Sequence, residues 1–268
     1  MKKNESKLVK YTLIAICLIF VFLFLVLPLY IVFAEAFRDG IEKYREAVTD
    51  KYTISAVLLT LEATVFAVVV NTVFGVFASW AITKFNFKGK KFLTTLIDLP
   101  VTISPIIAGL IFVLTFGRQS ILYPALQSMG IKVVFAVPGI ILATVFVTFP
   151  FISREIIPVL TVKGTDEEEA AALMGSNGFQ IFTQITFPHI RWAFLYGVVL
   201  CSARAMGEFG AVSVLSGHLR GITNTMPLYI ELLYQAFDFT GAFAMSAILV
   251  VMALVILVLK NIFEKSME

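Results

Sequence analysis

Long apolar stretches separated by short charged segments most constrain what this chain can fold into. Six stretches can be traced, and each holds the about 20 residues that an α-helix needs to cross the hydrocarbon core of a bilayer. Of the 268 residues, 59% are hydrophobic and 15% are charged, whereas soluble domains carry about 25% charged residues. The sequence therefore predicts an all-α integral membrane protein with six transmembrane helices. The predicted spans cover about residues 11–33, 54–82, 92–116, 133–152, 192–215 and 243–263.

Prolines indicate where these spans bend. Pro100 and Pro105 both fall in the third stretch, which predicts a kinked or broken helix whose freed backbone groups face protein or water. The fourth span is predicted to kink near Pro138 or Pro150. Residues 226–238 are expected to form a re-entrant or interfacial element between the fifth and sixth spans.

The distribution of Lys and Arg predicts the orientation in the membrane. Six spans place both termini on one side, and positive residues are enriched in cytoplasmic loops. The segments on the side of the termini hold thirteen Lys and Arg residues, and those on the other side hold seven. Both termini, and the loop of about residues 154–191, are therefore predicted to be cytoplasmic. The first apolar stretch is longer than the roughly 7–15 residues of a cleavable signal, so it is expected to be a retained helix.

A long polar segment at residues 165–188 interrupts the apolar pattern. Its four consecutive acidic residues suit the N-terminus of a helix, where the helix dipole favours negative charge. Thr165 is expected to cap this helix with Glu168 as its capping-box partner, and Gly175 and Gly178 are expected to break or end it near Met174. Long ordered loops tend to be functional. Acidic runs alone usually form a solvated, acid-capped loop helix, but the length of this segment predicts a function beyond joining two spans.

The same segment carries a recognisable motif. Glu169-Ala170-Ala171 is followed after three residues by Gly175 and after nine more by Ile185-Thr186-Phe187-Pro188, and this pattern resembles the EAA signature of ABC importer permeases. The resemblance implies a type I ABC importer permease fold in which a cytoplasmic coupling helix docks on an ATPase subunit. The residues it assigns to this coupling are Glu168, Glu169, Ala170, Ala171, Gly175, Ile185 and Pro188.

A second set of matches indicates the substrate. Residues 203–212, continuing through 217 and 220–221, together with 98–101 and 103–105, resemble the sulfate/thiosulfate importer permeases. The run at 213–217 with 225–228 is similar to the W-type rather than the T-type subunit. The resemblance covers most of the chain from about residue 54. It implies a permease core at residues 54–268, with residues 1–53 forming the N-terminal cytoplasmic segment, first transmembrane helix and external connector.

Two opposite charges fall inside the fifth predicted span. Arg204 and Glu208 lie four residues apart and share a helix face. A local ion pair is the favoured interpretation, because an unpaired intramembrane Arg would be costly; a role of Arg204 in the anion path is the alternative. The candidate pathway or gate residues are Ser104, Pro105, Arg204, Gly207, Glu208 and Gly210. Interhelical hydrogen bonds are expected for Glu62, Asn71 and Asp98.

Several classes of function are disfavoured. The sequence has no G-x-x-x-x-G-K-[ST], no H-E-x-x-H and no C-x-x-C, so neither a nucleotide-binding loop nor a catalytic or metal site is expected. A net charge of +3 does not argue for nucleic acid. No cofactor is expected in the chain itself, since ATP and Mg²⁺ would bind the partner ATPase.

The resemblance implies the cytoplasmic (inner) membrane as the location and the lipid bilayer as the environment. The partners it implies are a second homologous permease subunit of the T-type, a dimeric ABC ATPase and a sulfate/thiosulfate-binding protein. Two alternatives stay open: a molybdate or tungstate importer permease, and a stand-alone secondary anion transporter or channel.

Overall fold

The computed structural model describes residues 7–267, and the side chains of residues 9–262. Of the basic residues behind the predicted orientation, Lys2 and Lys3 lie outside the described residues, as do the side chains of Lys7 and Lys265. Every regular element in the described part of the chain is helical. The elements are α1 Lys7–Val21, a π-helical turn Phe22–Val26, α2 Leu27–Ala36, α3 Ile41–Thr49, α4 Lys51–Lys84, α5 Lys90–Thr102, α6 Pro105–Phe116, α7 Tyr123–Ser128, α8 Val137–Thr148, α9 Pro150–Lys163, α10 Asp166–Leu173, α11 Gly178–Ile181, a π-helical turn Phe182–Thr186, α12 Phe187–Met206, α13 Gly210–Ser216, α14 Met226–Gln235 and α15 Phe239–Met267.

Among the described residues, four helical segments are long and apolar enough to cross a membrane, and the number rises to six if each of two bent pairs counts as one span. The four segments are Val9–Ala36, Lys51–Lys84, Val137–Lys163 and Phe239–Ile262. In the third predicted span, α5 and α6 meet at 109°, which confirms the predicted break. Pro105 begins α6, where its missing N–H leaves no unpaired donor.

The fifth predicted span consists of two helices. It ends as α12 at Met206, and α13 begins at Gly210 with a bend of 47° between them. The predicted loop at 154–191 is also shorter than expected, because α9 continues the fourth span to Lys163. Pro138 lies in the first turn of α8 and bends nothing, whereas the helix is interrupted beside Pro150.

Small residues let the central helices approach closely. A Cβ added at Gly75 of α4 would lie 3.0 Å from the Ile152 side chain, and one added at Gly197 of α12 would lie 2.9 Å from the Ile152 backbone. These distances leave no room for larger side chains, so α4, α9 and α12 pack backbone to backbone as membrane helices commonly do.

Polar side chains join the same helices. The Asn71 amide donates to Thr148 Oγ1 at 2.8 Å and to the Val145 carbonyl at 3.2 Å, and Arg154 Nε donates to Asp98 Oδ1 at 2.7 Å. Both expected interhelical bonds are therefore confirmed. Among residues 9–262 no such bond to Glu62 is present, because its side chain lies on the exposed face of α4, so the expectation for Glu62 stays a prediction.

The chain comprises two compact units. The first contains Met1–Asp50 and Ile230–Ile248, and the second contains Lys51–Tyr229 and Leu249–Glu268. The first unit includes a hydrogen bond from Thr240 Oγ1 to Asp39 Oδ2 at 2.6 Å. The second holds the buried apolar clusters of α4, α8, α9, α12 and α13 and every predicted site residue. The division predicted at residue 54 stays a prediction.

Candidate functional site

The predicted docking segment begins with a short helix that has a well-defined end. α10 ends at Leu173, and the N–H groups of Gly175 and Ser176 donate to the carbonyls of Ala172 and Ala171, both at 3.0 Å. This pattern is a Schellman motif, in which the residue after the helix adopts a left-handed conformation. Gly175 has φ +89°, and only glycine adopts that conformation without steric cost. The expectation that Gly175 ends the helix is confirmed.

Glu168 ties this helix to the end of α4. Its carboxylate lies 2.9 Å from Lys84 Nζ, with side-chain exposures of 16% and 8%, and accepts a hydrogen bond from Thr186 Oγ1 at 2.6 Å. The Lys84 ammonium also donates to the Gly164 carbonyl. One buried charge pair therefore joins α4, α10 and the turn before α12.

The predicted capping box at Thr165 and Glu168 is wrong. Thr165 makes no side-chain cap and instead donates to Glu169 Oε1 at 2.7 Å, because the tertiary partners Lys84 and Thr186 hold Glu168. A capping box does form one helix later. There Asn177 and Gln180 exchange side-chain and backbone hydrogen bonds at 2.9 Å and start α11.

A second, exposed pair lies beside the first. Glu167 Oε2 is 2.6 Å from His189 Nε2. The hydrogen bond from His189, with its charge, lowers the pKa of the Glu167 carboxyl below its ordinary value. This pair links the first turn of α10 to the start of α12 at the solvent surface.

The tip of the segment presents apolar side chains to solvent. Leu173, Met174 and Phe179 are 90%, 81% and 77% exposed, although they lie among polar residues in a segment predicted to be cytoplasmic. Single exposed apolar residues are ordinary, but three large ones within seven residues of a polar segment make this stretch a candidate interaction surface. We call Leu173, Met174 and Phe179 the apolar tip.

The predicted coupling residues occupy different places around this helix. Ala171 is buried, Glu169 and Ala170 are exposed, Ile185 is half-buried and Pro188 is exposed. The structure brings them into one segment, and their roles in coupling stay predictions. Sequence reasoning missed Lys84, Thr186 and His189, which hold the segment, and the apolar tip, which it presents. Three large apolar side chains within a polar loop were the signal that could have found the tip.

The second candidate region is the break between α12 and α13. Arg204 Nη1 lies 2.6 Å from Glu208 Oε2, and the Glu208 side chain is 1% exposed. Its other oxygen accepts the Ala211 N–H at 2.8 Å, so the carboxylate also holds the start of α13. The favoured expectation of a local ion pair is therefore confirmed, although Glu208 lies just beyond the helix that carries Arg204.

The break packs directly against α6. A Cβ added at Gly210 would lie 2.9 Å from Pro105 Cβ, and one added at Gly109 would lie 2.7 Å from the Ala211 carbonyl. Gly210 and Pro105 are therefore in contact, so the structure joins the two predicted pathway stretches. Ser104 precedes Pro105 without a side-chain cap bond, and Gly207 ends α12. Whether these residues line a pathway stays a prediction.

Comparison with known proteins decides the family. Residues 71–268 match the family model described as "Binding-protein-dependent transport system inner membrane component". The chain belongs to this family. It is a permease, a multi-pass component of the inner membrane.

Relatives and solved structures agree with this assignment. The permease is 44% identical to the sulfate transport system permease protein CysW of Synechocystis sp., over 96% of this chain and 93% of the relative. It is 42% identical to CysW of Escherichia coli strain K12, over 97% and 89%. A chain of a bacterial ABC transporter involved in the import of the acidic polysaccharide alginate matches its fold with a TM-score of 0.81 at 20% identity, over 96% and 95%.

Neither candidate region of the permease offers a metal site. Within the described residues, no cluster of three or more His, Cys, Asp or Glu side chains could hold an ion. The two regions instead provide connections between helices. Lys84 joins the surface helix α10 to α4, and Gly210 packs the bent pair α12–α13 on the bent pair α5–α6.

Proposed function

We propose that this permease is one of two membrane subunits of an ATP-driven importer of sulfate or thiosulfate. It would cross the membrane six times, with both bent helix pairs counted as spans and both termini in the cytoplasm. The sulfate assignment is supported by relatives of 42–45% identity that are named for sulfate transport. A second permease subunit, a pair of ATPase subunits and a soluble binding protein would complete the machine.

The observation that carries the proposal is the architecture of the predicted docking segment. Together with one flanking residue on each side it covers residues 164–189, which we call the coupling segment. Its base is fixed by the Lys84–Glu168 pair, while its apolar tip is exposed. An exposed apolar surface suits a docking element. Because the base of the segment is fixed to α4, a movement of the tip would be passed on to that helix. The tip would insert into a groove of the ATPase subunit, where burial of apolar surface stabilises the contact.

Transmission would then follow the covalent and packed connections of the chain. Lys84 ends α4, and residues 187–206 of α12 continue directly from the segment. Trp80 of α4 lies against Phe182 with ring centroids 5.8 Å apart. The segment therefore contacts α4 at both Trp80 and Lys84. ATP, bound and hydrolysed by the partner subunits, would bias the equilibrium between inward-open and outward-open states.

The break at residues 207–209 would form part of the path that the anion takes through the membrane. The Arg204 guanidinium and the Glu208 carboxylate neutralise one another, so a positively charged group lies at the break while the pair has no net charge. A strongly hydrated dianion would be brought to the outer mouth by the binding protein, since this compensated pair provides little attraction by itself. We expect Arg204 to stabilise the bend between α12 and α13 rather than to bind the anion tightly.

Reconstitution of the complete complex in liposomes tests the proposal. Labelled sulfate uptake should require ATP, the ATPase and the binding protein, and excess molybdate should leave it unchanged. The substitution Gly175→Val should reduce uptake at least tenfold, because valine strains the left-handed conformation at φ +89° and moves the apolar tip.

Gly130→Val is the matched control, since Gly130 has φ +68° and, like Gly175, has no atom within 4 Å of an added Cβ. It lies in a loop remote in sequence from the segment. Equal loss of uptake in both variants, or uptake by the purified chain without any ATPase, would contradict the proposal. Inhibition of sulfate uptake by molybdate would transfer the assignment to a molybdate or tungstate importer.

A further inference from the structure

One face of α4 carries an unexplained carboxylate. Between Lys51 and Lys84, Glu62 is the single charged residue, and its side chain is exposed. It lies 11 residues after Lys51, which is about 16 Å along the helix. Exposed apolar side chains continue on both sides of it, from Ile54 and Leu58 to Phe77. Glu62 therefore lies within the apolar band that the membrane would surround.

The two faces of α4 differ in their packing. The inner face is built of small and polar residues that are buried in the second compact unit, such as Ala63, Ala67 and Asn71. The outer face presents Leu58, Val65 and Phe66, which are all exposed. Within the part of the chain whose side chains are described, no hydrogen bond or ion pair reaches the Glu62 carboxylate.

Neither lipid nor the anion path suits this carboxylate. A charged group at this depth is disfavoured against hydrocarbon, and intramembrane acidic residues normally pair inside a helix bundle. The exposed residues of α15 between positions 251 and 259, which include Leu254 and Val258, are all apolar and are typical of a lipid-facing surface. A path for a dianion would be blocked by an unpaired carboxylate, because like charges repel.

We propose that the face of α4 around Glu62 binds the second permease subunit, and that a basic side chain of that subunit pairs with Glu62. The inference rests on the proposed function, since it takes the second permease as the occupant. The surrounding apolar residues would supply packing area, and the charge pair would set the register and the choice of partner. The same helix ends at Lys84, so the interface would connect directly to the coupling segment.

Site-specific photo-crosslinking in the assembled transporter tests the surface. A photoreactive residue at position 66, where Phe66 is 51% exposed, is compared with one at position 254, where Leu254 is 50% exposed. We expect a covalent adduct with the second permease from position 66, at least five times more abundant than from position 254. Equal yields, adducts with lipid alone, or adducts with a second copy of this chain would each overturn the inference.

Charge reversal tests the role of Glu62 itself. Glu62→Lys should lower the amount of second permease that copurifies at least tenfold, because two basic groups would then face one another. Glu62→Gln should lower it less than threefold, since glutamine still offers an acceptor. Leu254→Lys is the control for placing a lysine on an exposed apolar helix face, and it should leave the complex intact.

The outcomes separate this inference from the function on which it rests. Full copurification with Glu62→Lys overturns the interface and leaves the importer assignment standing. If the unmodified chain copurifies with no second permease at all, the proposed function itself fails. Should Glu62→Lys accumulate poorly in the membrane, the crosslinking yields at positions 66 and 254 still decide the matter with Glu62 intact.

Discussion

The coupling segment and the break between α12 and α13 each contain a carboxylate that is largely withdrawn from solvent and paired with a base, but the two regions differ in the residues around that pair. In the coupling segment, four acidic residues occupy the first turn of α10. Of these, only Glu168 is largely withdrawn from solvent, where it pairs with Lys84. At the break, Glu208 is wholly buried and holds both Arg204 and the Ala211 N–H.

The contrast suggests a division of labour between fold and function. Loss of a buried pair leaves an uncompensated charge and destabilises the fold, whereas loss of an exposed contact leaves water to take its place. We therefore expect substitutions at the break to lower the amount of folded protein, and substitutions at the apolar tip to uncouple a protein that is folded normally.

The largest effect should follow from Arg204→Leu. It leaves the Glu208 carboxylate buried and unpaired, and breaking such a pair typically costs about 3–5 kcal/mol. The melting temperature of the purified complex and the amount of permease in the membrane should both fall sharply.

The double variant Arg204→Leu with Glu208→Leu should recover part of this loss, because it removes both charges. Arg154→Leu is the matched control. Its pair with Asp98 is about half exposed, at 47% and 38%, and such pairs contribute about 1 kcal/mol or less. Similar losses from the Arg204 and Arg154 variants would contradict the contrast.

A smaller loss is expected for Lys84→Met. Its ammonium binds Glu168 and the Gly164 carbonyl, and hydrogen bonds to charged groups contribute about 1.5–3 kcal/mol. Because this pair fixes the base of the coupling segment, sulfate uptake should fall while ATP hydrolysis by the complex continues. Lys88→Met, in the following loop, serves as control. Uptake that falls only in step with ATP hydrolysis would argue against mechanical transmission through Lys84.

The apolar tip should affect assembly and not folding. Leu173→Asp places a charge where an apolar contact with the ATPase is proposed, and we expect at least a tenfold weaker association, equivalent to about 1.4 kcal/mol. The melting temperature of the permease without ATPase should stay unchanged, because Leu173 is almost fully exposed. Unchanged copurification of the ATPase would show that the tip is not the docking surface. Val162→Asp, at another highly exposed apolar position, is the matched control.

The smallest effect concerns pH. His189 lowers the pKa of Glu167 below its ordinary value of 4.5, so the ionised form is favoured in the folded state. This contribution is present above pH 4.5 and is lost as the pH falls through the lowered pKa of the folded protein. Glu167→Gln should therefore reduce the loss of thermal stability between pH 5 and the onset of acid unfolding. Identical pH profiles for the variant and the parent would contradict the assigned cause.

Local features of both regions could be predicted from the sequence. The short acidic helix, its end at Gly175 and the break at Pro105 follow from charge, glycine and proline patterns that act over a few residues. The Arg204–Glu208 pair was equally accessible, since the two residues are only four positions apart in the sequence. The EAA motif and the sulfate-type runs are enough to indicate the family from the sequence.

Features that depend on distant partners could not be predicted in this way. The pairing of Lys84 with Glu168 joins residues 84 positions apart in the sequence, and it displaced the local capping box that the motif favoured. The bend after Met206 arises where Gly210 packs on Pro105, a contact between different spans. An interhelical hydrogen bond was expected for Glu62, and only the packing of α4 shows that its side chain lies on the exposed face of the helix.

Sulfate uptake by the reconstituted complex, measured together with ATP hydrolysis in the parent and in Leu173→Asp, tests the central claim most directly. The parent should import sulfate only with ATP, the ATPase and the binding protein, and the variant should lose uptake while the permease remains folded in the membrane. Full, ATP-dependent uptake by the variant, or uptake by the permease without ATPase, would contradict a coupling segment that docks through its apolar tip.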